Sequence, residues 1–354
     1  MGPIVVALIL IFLLAMALAF IIPVSYILAK YVSEPHTISY QDAYDTEKEK
    51  GFLEGYDSLE KEEIMIPSFD GYELHGEVIL REGLKESEGI EESDGRNESD
   101  GSDGSHGRNG SDGSDGSHGR NGSDGSDGSH GAGSKERFVI LTHGYTYNRL
   151  GSVKYMNLYR KMGYSCIQYD LRGHGANAKC PVTMGLKESR DLLAVIDWVH
   201  ERYGENIILG LHGESMGSAS QTLALREKPR VDFVVNDCGF AELTEVLRGQ
   251  LSKRFHLPAF LVSTASILNK IYYKYSYQEV RPVDALKENQ VPICFMHGRE
   301  DTFIPYQHSE LMAETTKGYQ EVHLYEDADH ALSFEKHPKE YEENLKAFLE
   351  KVLG

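Results

Sequence analysis

Gly213-Glu214-Ser215-Met216-Gly217 follows the apolar run Ile207-Ile208-Leu209 and opens a helix-like stretch. A serine between two glycines on a sharp strand-to-helix turn has its Oγ aimed out of a sheet, because the turn leaves no room for larger neighbours. The same turn leaves the Met216 N–H at a helix N-terminus, where it can donate to an oxyanion. A serine hydroxyl needs a base of near-neutral pKa and an acid to orient that base. Downstream, His297-Gly298-Arg299-Glu300-Asp301 follows the apolar run Pro292 to Met296 and places Asp301 in a loop. Asp327-Ala328-Asp329-His330 follows a strand-like segment ending at Tyr325 and offers His330 as the base. Upstream, His143-Gly144-Tyr145 offers the Tyr145 N–H as a second oxyanion donor. Ser215, His330 and Asp301 would thus carry acyl transfer to water, with no cofactor and no metal.

Other residues compete for these roles. Asp237 also ends a strand-like run and is an alternative acid to Asp301. Asp327 and Asp329 adjoin His330, but neighbouring side chains on an extended loop point apart, so both read as turn residues. His212 reads as a packed residue beside the turn, and Glu214 as a carboxylate that either supports the site or touches substrate. Arg172 and His174 read as braces for the loops beneath the site. Gly173 to Ala178 fits G-x-G-x-x-A, a dinucleotide-binding pattern, but Cys180-Pro181 follows where that site needs a helix.

The elements that must hold these residues alternate between strand-like and helix-like segments, which predicts a mainly parallel sheet covered by helices. Strands are expected over 63–66, 76–80, 138–141, 165–169, 207–209, 231–235, 291–295 and 321–325, with Asp70-Gly71 as a hairpin turn. Leu186 to Tyr203 and Tyr341 to Val352 have helical periodicity. Each candidate site residue comes just after a strand, the edge at which sites assemble in parallel sheets.

With these motifs in hand, the sequence resembles the α/β-hydrolase superfamily, and more narrowly a group of bacterial membrane-anchored serine hydrolases of esterase, lipase and serine aminopeptidase type. The resemblance is carried by His143 to Arg149, Asp170 to Gly175, His212 to Gly217, Asn236 to Cys238 and His297 to Pro305. It covers about Glu63 to Leu353 apart from a repeat insertion. It implies a mostly parallel eight-stranded sheet with helices on both faces and a small helical cap over 240–289. That cap region holds Phe255, Leu257, Pro258 and Phe260, apolar enough to cover an acyl group.

Ile4 to Ile22 is an uninterrupted apolar run of 19 residues. As a helix it would reach about 28 Å, close to the ~30 Å hydrocarbon core of a bilayer. It is expected to be an uncleaved anchor, with residues 1–34 as anchor and tether. The rival is a signal peptide cut after Ala17-Leu18-Ala19, although no Lys or Arg precedes the run. Lys30, the nearest cation, follows the run and points to a cytoplasmic hydrolase domain.

Residues 86–134 hold a twelve-residue repeat: Arg96 to Gly107, Arg108 to Gly119 and Arg120 to Gly131. It has no apolar surface to bury, which predicts a disordered insertion dividing the hydrolase domain into 35–85 and 135–354. His106, His118 and His130 beside aspartates are weak candidates for chelation, and Asn97, Asn109 and Asn121 begin formal glycosylation sequons. Between Glu86 and Gly131, 12 acids stand against three arginines, a net of −9 out of the chain's −19. So acidic a chain lacks the cationic face that nucleic acid demands. Four scattered cysteines make no disulfide framework or zinc pattern, and Cys166 and Cys294 read as buried thiols. The function expected is carboxylic ester hydrolysis. An amide-cleaving peptidase or aminopeptidase is the alternative, and a membrane-tethered binding module with the repeat as its arm is a third reading.

Overall fold

The strand-like runs pack on both sides. In β3 (Glu136–Thr142), Phe138 and Ile140 join one core cluster, while Val139 and Leu141 join the other. Alternate residues of a strand face opposite ways, so a strand covered by helices on both faces must be apolar throughout. The computed structural model describes residues 2–82 and 135–354. The repeat insertion expected over 86–134, with its histidines and sequons, lies outside the described residues.

Eight strands form one sheet in the order β1-β2-β4-β3-β5-β6-β7-β8. The others are β1 (Glu62–Pro67), β2 (Glu73–Ile79), β4 (Ser165–Tyr169), β5 (Ile207–Glu214), β6 (Phe233–Asp237), β7 (Ile293–Gly298) and β8 (Gln320–Tyr325). β1 and β2 form an antiparallel hairpin turning near Asp70-Gly71, β2 runs antiparallel to β4, and all remaining neighbours are parallel. This is the mostly parallel eight-stranded architecture that the resemblance implied.

Helices α1 (Pro3–Ser33) and α2 (Tyr40–Glu49) precede the sheet, and α3 (Val153–Lys161), α4 (Glu188–Tyr203) and α5 (Met216–Ala224) connect its centre. α6 (Leu243–Phe255), α7 (Phe260–Tyr273) and α8 (Pro282–Ala285) follow β6, and α9 (Gln307–Thr315), α10 (Ser333–Lys336) and α11 (Pro338–Leu353) complete the chain. Leu192, Val195 and Val199 of α4 cover one face of the sheet; Met156 and Tyr159 of α3 with Leu345 and Phe348 of α11 cover the other. A third cluster joins α6 and α7 to the last third of α1, through Val32, Leu243, Leu261 and Ala265.

Several strands run past their apolar stretches. β5 continues through His212, Gly213 and Glu214, and β6 and β7 begin two residues later than hydropathy suggests and extend to Asp237 and Gly298. Pairing explains the extension. Thr142 pairs with Tyr169 and Gly213, Glu214 with Asp237, Asp237 with Met296, and Gly298 with Tyr325. These ladder bonds bring the ends of six parallel strands to one edge.

Candidate active site

Ser215 sits between β5 and α5 with φ of 55°, a conformation costly for a residue with a side chain. Its N–H donates to the Asp237 carbonyl oxygen at 2.8 Å, which holds the turn against β6. The flanking glycines answer to crowding. A Cβ on Gly213 would lie 2.6 Å from the Gly217 carbonyl carbon, and one on Gly217 would strike the Thr142 carbonyl oxygen.

The structure brings Ser215, His330 and Asp301 together from the ends of β5, β8 and β7. Ser215 Oγ is 2.9 Å from His330 Nε2, and His330 Nδ1 is 2.7 Å from Asp301 Oδ2. With Nδ1 donating to the carboxylate, Nε2 is left to accept the serine proton. Asp301 is itself held: Oδ1 accepts from the Phe303 and Ile304 amides at 2.9 and 2.7 Å. His297 Nε2 lies 3.1 Å from Asp301 Oδ2 and 2.8 Å from the Ile304 carbonyl oxygen, so its Nδ1 accepts from Ser309 at 2.7 Å. Burial would raise the Asp301 pKa, but hydrogen bonds from His297 and His330 bring it down to about 2. Burial would lower His330; the hydrogen bond and charge of Asp301 outweigh it and leave the imidazole above its ordinary value.

Tyr145 and Met216 line the same cavity as Ser215 and His330. Among the described residues neither backbone amide has a protein acceptor, so both are available to a developing oxyanion. The cavity is about 320 Å³ and mostly apolar, walled by Met184, Phe240, Leu243 and Leu247 with Phe303 against the His330 ring. Two further wall residues come from the last turn of α1: Tyr31 and Val32. The Tyr145 hydroxyl donates to the Tyr31 carbonyl oxygen at 2.8 Å and fixes that turn in place. Sequence reasoning gave α1 no part in the site, and its hydropathy carries no signal of one.

Behind the serine the surroundings are ionic. Lys154 Nζ is 2.6 Å from Glu214 Oε2, and the Tyr155 hydroxyl lies 2.8 Å from that oxygen and 2.9 Å from Asp237 Oδ2. Tyr341 donates to Asp237 Oδ2 at 2.7 Å. Burial opposes ionisation of Glu214, but the Lys154 charge and hydrogen bond prevail and lower its pKa. Asp237 is raised by burial and by Glu214. The bonds of Asp237 go to the two tyrosines, and it is Asp301 that engages His330. Glu214 therefore supports the turn from behind. Neither Lys154 nor Tyr155 was singled out from sequence; a lysine opening a helix looks like a surface residue until the fold buries it.

The remaining candidates settle as braces. His212 is buried, 3.2 Å from the Tyr341 hydroxyl and against the Tyr155 ring. Arg172 pairs with Asp191 at 3.3 Å and Asp70 at 3.0 Å, and His174 Nε2 accepts from the Thr146 amide at 3.2 Å. No helix follows Gly173 to Ala178. Asp329 Oδ1 accepts from the Thr302 and His330 amides at 2.9 and 2.8 Å and so ties the loops bearing Asp301 and His330 together, while Asp327 is exposed. Cys238 Sγ lies within 4.8 Å of ligand atoms of Asp301 and His330. Burial, followed by the Asp237 charge, holds that thiol well above its ordinary pKa, and the other two groups are engaged with each other, so the trio makes a poor metal site.

Residues 152–354, which include Ser215, Asp301 and His330, match the sequence pattern of the prolyl oligopeptidase family. The chain belongs to this family. It is similar to the uncharacterized protein YqkD of Bacillus subtilis, at 30% identity over 217 residues, covering 60% of this chain and 71% of the relative. It is also similar to the lysophosphatidylserine lipase ABHD12 of Xenopus tropicalis, at 23% identity over 48% of this chain and 44% of that one. Among solved structures, the Pyrococcus furiosus esterase Pf2001 shares the fold at TM-score 0.58 and 20% identity, covering 85% of this chain and 96% of its own. The Pyrococcus horikoshii acylaminoacyl peptidase does so at TM-score 0.52 and 16% identity, covering 82% of this chain and 41% of its own. The chain is thus a hydrolase of the α/β-hydrolase fold.

Proposed function

We propose that the protein is a membrane-anchored carboxylic ester hydrolase that works through a Ser215-His330-Asp301 triad. Ser215 Oγ attacks the ester carbonyl carbon as its proton passes to His330 Nε2. The carbonyl oxygen becomes an oxyanion received by the Tyr145 and Met216 amides. The tetrahedral intermediate collapses, the C–O bond to the alcohol breaks, and His330 returns the proton to the leaving oxygen. Water then repeats the cycle on the acyl-enzyme and releases the acid. Asp301 keeps Nδ1 protonated and stabilises the imidazolium that forms.

The observation that carries the ester assignment is the lining of the cavity. Among the described residues no Asp or Glu lines it, so the α-amine of a peptide would meet no countercharge there, whereas apolar walls suit an acyl chain. The peptidase members implied by the family name and the acylaminoacyl peptidase neighbour favour amides as the second reading. A panel of p-nitrophenyl acyl esters and aminoacyl p-nitroanilides, run on the full chain, tests the choice. Faster turnover of the anilides in kcat/KM would reverse it. A fluorophosphonate should label the wild type and not Ser215→Ala; labelling of a folded Ser215→Ala would remove the serine from its role.

The anchor reading rests on α1, which spans 31 residues, has an apolar window with no residue buried, and is long enough to cross a bilayer. The protein should remain with membranes after alkaline carbonate washing. Release by carbonate would remove the anchor. Lys30 on the far side of the run favours a cytoplasmic hydrolase, and protection of the hydrolase from protease added to intact cells checks that side.

A further inference from the structure

Helix α1 is uncharged from Pro3 to Ala29, and Lys30 is its first charge. Tyr31, the next residue, lines the cavity that holds Ser215. The site therefore begins where the helix leaves the uncharged stretch, the depth at which a bilayer presents headgroups.

The cap reaches further towards the membrane. Ser25 Oγ is 2.5 Å from Thr264 Oγ1, and Ile21 and Val24 pack on the cluster that contains Leu261 and Val262. The first turn of α7 thus stands level with uncharged residues of α1, about 9 Å of helix before Tyr31. At that level Phe260 is 53% exposed, and Ile267, two turns on, is 62% exposed. Such a stripe on a protein in water would be a liability, but it continues the apolar surface of α1 and suits a bilayer. The loop entering α7 leaves from Phe255, whose ring makes an edge contact with Tyr31 at 6.5 Å. Phe255 and Arg254 also line the cavity, and the Arg254 guanidinium lies 5.9 Å from the Phe255 ring centroid with no ion pair among the described residues. A volume of about 320 Å³ is at the small end for ligand sites and has space for one chain rather than two.

We infer that the substrate is a single-chain acyl lipid drawn from the bilayer that holds α1, its chain lying in the cavity walled by Tyr31 and Phe255 and its anionic headgroup meeting Arg254. This rests on the ester-hydrolase reading above and narrows it to a substrate class. The cap face bearing Phe260 and Ile267 dips into the same leaflet, which spares the lipid a passage through water.

The test uses the full chain in phosphatidylcholine vesicles that carry either 1-palmitoyl-lysophosphatidylglycerol or 1-palmitoyl-lysophosphatidylcholine, with palmitate release measured by mass spectrometry. Soluble p-nitrophenyl butyrate is run in parallel. The wild type should cleave the anionic lipid at least about tenfold faster than the zwitterionic one, and Arg254→Gln should bring the two rates within about twofold. Phe260→Glu and Ile267→Glu, singly and together, should lower lipid cleavage about tenfold while butyrate turnover stays within about twofold. A wild type that cleaves butyrate but neither lipid overturns the inference, as does a cap variant that loses both activities equally. Equal rates on the two lipids overturn the headgroup assignment. Cross-linking of two chains through the Phe260 face, with lipid cleavage unaffected by its substitution, would give that face to a second copy and overturn the docking. Failure on butyrate together with failure of fluorophosphonate labelling is a different result, and it removes the hydrolase reading itself.

Discussion

Ser215 stands between two unlike walls. Behind it, Lys154, Glu214, Asp237, Tyr155 and Tyr341 form a buried ionic and hydroxyl layer joined by bonds of 2.6 to 2.9 Å. In front, Met184, Phe240, Leu247 and the end of α1 form an apolar cavity whose lining, among the described residues, contains no carboxylate. The back wall is held by its own hydrogen bonds and ion pair and fixes the strained turn. The front wall leaves two amides without acceptors and space for an acyl group. A low dielectric strengthens both: it makes a broken pair behind the serine expensive, and it strengthens the oxyanion contacts in front.

Substitution at the boundary should have the largest effect. Ser215→Ala is expected to lower kcat on p-nitrophenyl butyrate by on the order of 10⁶, as for other triad serines, with circular dichroism unchanged. Asp301→Asn should cost on the order of 10⁴ in kcat, since the imidazole is then held in the wrong tautomer. The pH profile gives the sign. His330 acts only when neutral, and Asp301 raises its pKa, so the acidic limb of kcat/KM should fall above the ordinary imidazole value of about 6.5. In Asp301→Asn burial is opposed only by the more distant Glu214 and Asp237 charges, and the limb should move to lower pH. With Asp301 itself at about 2, no second limb is expected from it between pH 3 and 6.

The back wall can be broken without touching substrate. Lys154→Met leaves the largely buried Glu214 carboxylate with the Tyr155 hydroxyl but no cation, which should cost about 2–3 kcal/mol in urea-unfolding stability. Adding Glu214→Gln should recover part of that loss; a strictly additive double mutant would show that the two do not form a unit. The front wall should give the smallest effect and the most selective one. Leu247→Trp narrows the cavity and should raise KM for p-nitrophenyl octanoate by roughly 10-fold or more while leaving the acetate ester little changed. Equal effects on both esters would mean that Leu247 does not face the acyl chain.

The chemistry was the legible part. Ser215, Asp301 and His330 each follow an apolar run, and their order along the chain is enough to expect them on one edge. Asp237 competed with Asp301 because both end strands. Only the hydrogen bonds separate them, since Asp237 Oδ2 is taken by Tyr155 and Tyr341 from helices far away in sequence. β4 spans the 165–169 that hydropathy predicts, but β5, β6 and β7 extend past their apolar runs for a related reason. His212, Gly213 and Glu214 are polar or small, yet they remain in β5 because β3 and β6 supply ladder bonds on both sides. Hydropathy records the burial of side chains and not the pairing of the backbone.

Sequence alone determined which residue types stand at the strand ends, the alternation that makes the sheet mostly parallel, and an N-terminal helix long enough for a bilayer. These are local patterns, set by periods of two and 3.6 and by glycines that only a tight turn needs. The tertiary structure decided that Lys154 pairs with Glu214 beside Ser215 and that Tyr31 and Val32 close the cavity. Those contacts join residues separated by tens to nearly two hundred positions, and no local period encodes them. They exist because a folded chain must bury its charges in pairs and cover its apolar cavity with whatever element passes over it.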